Sequence, residues 1–492
     1  MITVHYSGKM QHQNIQPKLK RKEKIKYHKE LLQTIELFKK TKSGKLISKK
    51  EIFNGKRAKF KSCGKEFTID IHYNIFSKNR KKLDVGEYYK DIQIQFGENI
   101  YNLEGIFLRK HAPPRITGSV DRINTIGFSE KKKYYYRLII PLEKELNFHF
   151  QIEETHFTTD LGYVSRTGTT AIINGESIQI SCIHNDKRDY FLAIESAVKQ
   201  TFHEFAEKAH AVKIGMGYLS GFCAGNQGYF FAYTKNEMKR PEHFRCVALR
   251  DSIKSGYSPI YSNAYGYLHN NRRLAKKYYP LLRPVSLNEF SILCEKIHNS
   301  IDFSSTLMLM LESSVASLVF MPGGYAIALE TLSDLVIGKK KLKLAPIKDK
   351  SVSRKIRKEI LEVLNVNSST ILPDDLAMLY KRVDQLNQTT NKARLRAPFD
   401  LLTININEED LKILETRNDF LHGRVPDLTN AGISRSTERI NKDLYYCSMR
   451  FYTLLNMIIL KWIGYDNRVL NYPKIHEGFT QIRLKEEPFR QV

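Results

Sequence analysis

The chain has 492 residues, with 79 Lys and Arg against 52 Asp and Glu, for a formal net charge of +27. Its 42% hydrophobic content excludes a disordered tail, and its length is too great for one compact core, which predicts two or three domains. A chain this basic usually meets a polyanion, either nucleic acid or an anionic surface.

Residues 1–61 hold 18 Lys and Arg against 4 Glu, a net of +14. Residues 1–54 therefore read as a basic, partly helical leader. Two causes fit it: a nucleic-acid contact giving salt-sensitive, sequence-independent affinity, or the Lys-rich composition of an A/T-rich gene. From residue 55 the texture changes. Phe67–Tyr73 alternates apolar and polar residues, as a half-buried strand does. Asp91–Phe96, Tyr134–Ile140, Leu146–Ile152, Thr169–Ile173 and Ser177–Ile183 read as further strands, separated by turn signals such as Asn174-Gly175. Phe191–His210 has apolar residues at helical spacing, and Tyr229–Tyr233 and Phe244–Leu249 read as strands. Residues 55–285 are thus expected to form a β-rich N-terminal domain with a sensor or regulatory role.

After 285 the pattern is helical. Ser286–Ser300, Thr306–Phe320, Tyr325–Ile337, Ser351–Leu364 and Asp374–Leu386 are expected helices, with Asn387–Ala397 as a polar loop. Asn407 has the features of an N-cap, with acidic residues in the first turn that follows. That helix is expected to run to Leu421, stopped by Gly423. Ser436–Ile463 is the last long helix, with Leu444, Cys447, Phe451, Leu455, Ile458 and Trp462 on one face. The fold class expected is α+β multidomain, with an all-α bundle over 286–475 and a tail over 476–492.

Several signals point away from other chemistry. The six cysteines form no CxxC and have no zinc-finger partners, which fits reduced thiols in a cytoplasmic protein. Leu307–Ile337 is apolar but broken by Glu312, Glu330, Asp334 and Pro322-Gly-Gly, so buried helices are expected and no membrane span. His203, Glu204 and His210 lack the HExxH spacing. Gly215–Gly221 lacks the Lys-Ser/Thr of a P-loop. Lys131–Arg137 mixes cations with aromatics, as a nucleic-acid contact can, but a strand edge accounts for it as well.

The motif with chemical content is Arg417-Asn-Asp-Phe-Leu-His422-Gly423. Arg followed by His after four intervening residues, at a helix end within a helical region, resembles the motif of HEPN ribonucleases. Ile459-Leu-Lys-Trp-Ile-Gly-Tyr465 resembles the C-terminal end of the ApeA-like HEPN family of bacterial anti-phage proteins. Ala326-Ile-Ala-Leu-Glu-Thr-Leu332 is similar to the helix that opens that family's HEPN region. The resemblance is specific over about 300–475 and only architectural over 55–285.

It implies a metal-independent endoribonuclease with no cofactor, acting on RNA (tRNA among the candidates) in abortive infection and set off by an unidentified phage-derived trigger. His422 would serve as acid or base. Arg417 would stabilise charge on phosphate oxygens, and Asn418 would hold His422 or a phosphate oxygen. A mechanism that uses the 2′-OH spares DNA. Glu330 and Glu312 are candidate partners of Arg417, and Tyr445 and Arg450 could line the same cleft. Residues five apart point about 140° apart on an ideal helix, so Arg417 and His422 share a site only if the helix breaks or a homodimer or higher symmetric oligomer completes it. The alternative is a non-catalytic nucleic-acid-binding or scaffold protein that uses these helices for dimerisation.

Overall fold

The computed structural model describes residues 31–63, 66–72, 85–112, 115–146, 148, 150–158, 164–185, 188–338, 345–428 and 435–492. The fold is α+β, with a β-rich N-terminal region and a helical C-terminal region. Residues 1–30 of the basic leader lie outside the described residues.

Six antiparallel strands close into a barrel: β1 (Lys42–Ser48), β2 (Arg57–Cys63), β3 (Glu66–His72), β4 (Ile92–Phe96), β5 (Asn99–Ala112) and β6 (Arg115–Thr125). The order around it is β1-β2-β3-β6-β5-β4, and β4 returns to β1 through pairs such as Leu46 with Ile94. Closure leaves no free edge among these strands. Helix α1 (31–39) places Leu31, Leu32, Ile35 and Phe38 in the barrel's apolar core at helical spacing. Phe38 stacks on Phe244 and meets Phe60 and Tyr101 edge-on. β1 and α1 therefore both arise from the stretch read as leader.

A second antiparallel sheet continues from β6. Its strands are β7 (Tyr135–Leu142), β8 (Thr155–Thr158), β9 (Val164–Ile173), β10 (Glu176–His184), β11 (Tyr190–Ser196), β12 (Gln227–Tyr233) and β13 (His243–Ala248). From the barrel outward the order is β13-β12-β7-β11-β10-β9-β8. The central strands β7, β11 and β12 are buried on both faces. Leu138, Ile140, Leu192, Ile194 and Phe230 pack toward the helices, while Ile139, Phe191, Ala193, Tyr229 and Phe231 join the barrel's core. Successive side chains alternate between the two cores, as the pleat requires. Asn174 (φ 50°) and Gly175 (φ 78°) make the β9–β10 turn with both residues left-handed, as a two-residue hairpin favours.

Two expectations fail in this region. Phe191–His210 is not one helix: Tyr190–Ser196 is strand β11, and helix α2 is Phe202–Ser220. A strand apolar on both faces imitates a buried helix, so periodicity cannot separate them. The helix begins where Thr201 and Glu204 form a capping box. Among its described residues, Leu146–Ile152 shows no strand, and Ile152 makes a single bridge to Val285.

Besides short helices at Ala264–Tyr267, Arg272–Tyr278, Tyr472–Ile475 and Glu477–Thr480, the helical region contains α3 (Leu287–Asn299), α4 (Ile301–Ser313), α5 (Met321–Ile337), α6 (Lys350–Val366), α7 (Pro373–Asp384), α8 (Asn391–Leu401), α9 (Glu408–Glu415), α10 (Arg417–Leu421) and α11 (Thr437–Trp462). α8 replaces the polar loop expected at Asn387–Ala397. Thr390 caps it, and Leu395, Ala397 and Phe399 are buried. α11 is the central helix, with buried residues around much of its circumference. α5 packs against α4, α8, α10 and α11. One buried apolar cluster extends from Tyr134 to Val492, passing through residue 285 without interruption. α6 contributes nothing to it and pairs with α7. Among the described residues, no helix is long and apolar enough to cross a membrane.

Candidate active site

The Arg417–His422 segment is built by two consecutive helix ends. Asn407 caps α9: Asp410 N–H donates to Asn407 Oδ1 and Asn407 N–H to Asp410 Oδ2, both at 2.9 Å. α9 stops at Thr416, whose hydroxyl donates to the Ile413 carbonyl at 2.8 Å. The single helix expected from Asn407 to Leu421 is therefore two helices, with the break directly before Arg417.

Arg417 opens α10. Its guanidinium forms an ion pair with Glu330 on α5 and donates to Asn418 Oδ1. The side chains of Arg417 and Glu330 are 11% and 22% exposed, so this contact is largely shielded from water. Burial pulls the Arg417 guanidinium below its ordinary value, while the adjoining carboxylate favours the charged form. Among the described residues, nothing accepts a hydrogen bond from the buried Arg417 Nε. Phe420 meets Phe451 of α11 edge-on at 5.9 Å and seats α10 on the central helix.

His422 ends α10, and its backbone N–H donates to the carbonyls of Asn418 and Asp419 at 3.1 and 3.2 Å. Gly423 follows with φ +69°, and Arg424 N–H closes back on the Asp419 carbonyl at 2.7 Å. This is the left-handed stop expected from the sequence. The His422 side chain is exposed, and among the described residues nothing bonds its ring. Arg417 and His422 thus occupy opposite ends of a five-residue helix, one held against α5 and the other open to solvent.

A groove of about 440 Å³ borders this helix, formed by Glu312, Ser313, Phe320, Ile327, Phe420 and Gly423 among others. Its apolar rim is exposed, with Phe320 at 74% and Val319 at 66%.

Of the four supporting residues expected, only Glu330 meets Arg417. Glu312 edges the groove but pairs with Arg250. The Tyr445 hydroxyl lies 3.2 Å from that of Tyr257, and its ring packs on Phe479 and His476. Burial pushes its hydroxyl well above the usual phenol range. Arg450 is fully buried and bonds Asp410, Glu486 and the Tyr446 hydroxyl. Tyr445 and Arg450 therefore tie α11 to neighbouring segments instead of meeting Arg417.

A group not singled out from the sequence holds the chain just after the motif. Arg435 donates to the carbonyls of Pro426 at 2.7 Å and Val425 at 3.1 Å, and lies 3.6 Å from the buried Asp443, which also pairs with Arg439 at 2.6 Å. The four-residue spacing of Arg439 and Asp443 was the available signal; the contact from Arg435 to the post-motif backbone had none. Among the described residues, no group of three or more His, Cys, Asp or Glu is placed to hold a metal ion.

No family model, curated protein or solved structure matches this chain.

Proposed function

We propose that the chain is a metal-independent endoribonuclease of HEPN type, with a mainly helical nuclease region that works as a homodimer in anti-phage defence. Arg417 stabilises charge on the phosphoryl oxygens, His422 moves the proton of the attacking 2′-OH or the leaving oxygen, and Asn418 steadies Arg417. One observation carries this reading. The helix is broken and stopped on either side of the motif, so that a half-buried, anchored Arg and a solvent-open His sit on one short element beside an apolar-rimmed groove. The opposite placement of the two side chains favours a site completed by a second copy. The β-rich region would sense the trigger or restrain the nuclease.

A second reading, a non-catalytic RNA-binding or scaffold protein, draws on the same ion pair, because Glu330 neutralises the cation a phosphate would need. Cleavage of total RNA by wild type, Arg417→Ala and His422→Ala, in the presence of EDTA, separates the two.

A further inference from the structure

A second cavity, of about 340 Å³, lies between α2 and the second sheet. Its walls are mostly apolar, with Leu138 and Ile140 from β7 and Phe230 from β12. Lys213 of α2 lines it and is only 6% exposed. α2 carries two buried lysines. Lys208 is satisfied by Glu176 and by Gln200 Oε1 at 3.3 Å. Lys213 has neither a carboxylate nor a hydrogen bond from any described residue. An ammonium held in a largely apolar wall without a counter-charge is unfavourable, and an anion entering the cavity would supply that charge.

Other titratable groups near the cavity include His210, Arg122, Glu130, Cys223 and Arg250. His210 stands one turn before Lys213, at the open side. Enclosure by protein and the charges of Lys213 and Arg250 push its imidazole down to about 4. Burial and Arg250 also pull the Lys213 ammonium down. Glu130 is the acidic residue among the lining groups, but it is already engaged by Arg245 and lies 3.9 Å from Arg122. Lys213 is therefore a lining cation without a described carboxylate, set against an apolar chamber.

We propose that this cavity binds a small organic anion, its charged group on Lys213 and its hydrocarbon body against Leu138, Ile140 and Phe230. The inference is independent of the nuclease reading, yet the site is placed to reach it. Arg250, close enough to act on Lys213 and His210, pairs with Glu312, which edges the groove beside α10.

Calorimetric titration of the full chain with octanoate and its uncharged isostere octanamide tests the site. Octanoate is expected to bind at least about tenfold more tightly. Lys213→Met keeps the side-chain length and should abolish that preference while leaving octanamide binding within about twofold. The same variant should melt no lower than wild type, because an unpaired buried amine is gone. Arg250→Gln, at an exposed position, should weaken octanoate severalfold. Equal affinity for the two probes, no binding of octanoate, or an undiminished preference in Lys213→Met would each overturn the proposal.

Discussion

Replacing Arg450 with Met probes how the helical region is held together. Arg450 and Asp410 are both fully buried, and Glu486 is 14% exposed. The guanidinium reaches Asp410 at 3.1 Å and the two Glu486 oxygens at 3.0 and 2.8 Å. Its removal leaves Asp410 with Arg490, at 2.9 and 2.6 Å, and leaves Glu486 with the amides of Asn471 at 2.8 Å and Asn407 at 3.1 Å. Losing one partner of a buried ion pair costs about 3–5 kcal/mol. Because Arg490 still neutralises Asp410, the expected loss is about 3 kcal/mol, read as a lower urea midpoint for the cooperative unfolding of the intact chain. The pH dependence locates the loss. Although burial opposes it, the Arg450 contacts hold the Glu486 carboxyl below its ordinary value. That contribution is fully present above the unfolded carboxyl value of about 4.3 and is lost as pH falls through the lower folded value. Arg450→Met should therefore lose less stability than wild type between pH 5 and 3, taken as roughly the titration range of such carboxyls. A loss below about 1 kcal/mol with an unchanged acid profile would refute this account of the network.

Other substitutions test the site and its supports. Gly423→Ala places a side chain at φ +69° in open space, so the cost should be only the backbone term, about 1 kcal/mol by thermal melting. Gly221→Ala combines φ +72° with a Cβ 2.6 Å from the Tyr257 carbonyl oxygen and should cost clearly more, about 2–3 kcal/mol; equal costs would contradict the close approach. Glu330→Gln removes the counter-charge of Arg417 and should lower RNA cleavage by about 10–100-fold if the pair orients the guanidinium, whereas a rate increase would mean that Glu330 acts as a restraint. Arg435→Gln should reduce cleavage while leaving the melting temperature within a few degrees, because its bonds hold the backbone at 425–426.

Local physics was legible where it is written in adjacent residues. The Asn407 cap and the Gly423 stop each depend on residues within a few positions, and the structure shows both. The strands read at Phe67, Asp91, Thr169 and Ser177 each show alternation or lie beside a turn signal. A sandwich or barrel-like unit was expected over 55–185, but the barrel's strand membership and closure were not legible. β2, Arg57-Ala-Lys-Phe-Lys-Ser-Cys63, interleaves Lys with its buried Ala58 and Phe60 and reads as part of a basic stretch. Closure further depends on β1 meeting β4 across nearly fifty residues. Of the residues expected around Arg417, Glu330 proved a contact because α5 packs on α10. Arg450 lies among buried residues of α11, but its acidic partners stand 40 positions before it and 36 after it, which no spacing rule relates.

The measurement that tests the central claim most directly is cleavage of total cellular RNA by the purified chain and by Arg417→Ala and His422→Ala, with EDTA present and the fragment ends mapped. The account predicts cutting by wild type alone, leaving 2′,3′-cyclic phosphate ends or their hydrolysed form. Equal cutting by all three proteins, or activity abolished by EDTA, would contradict it.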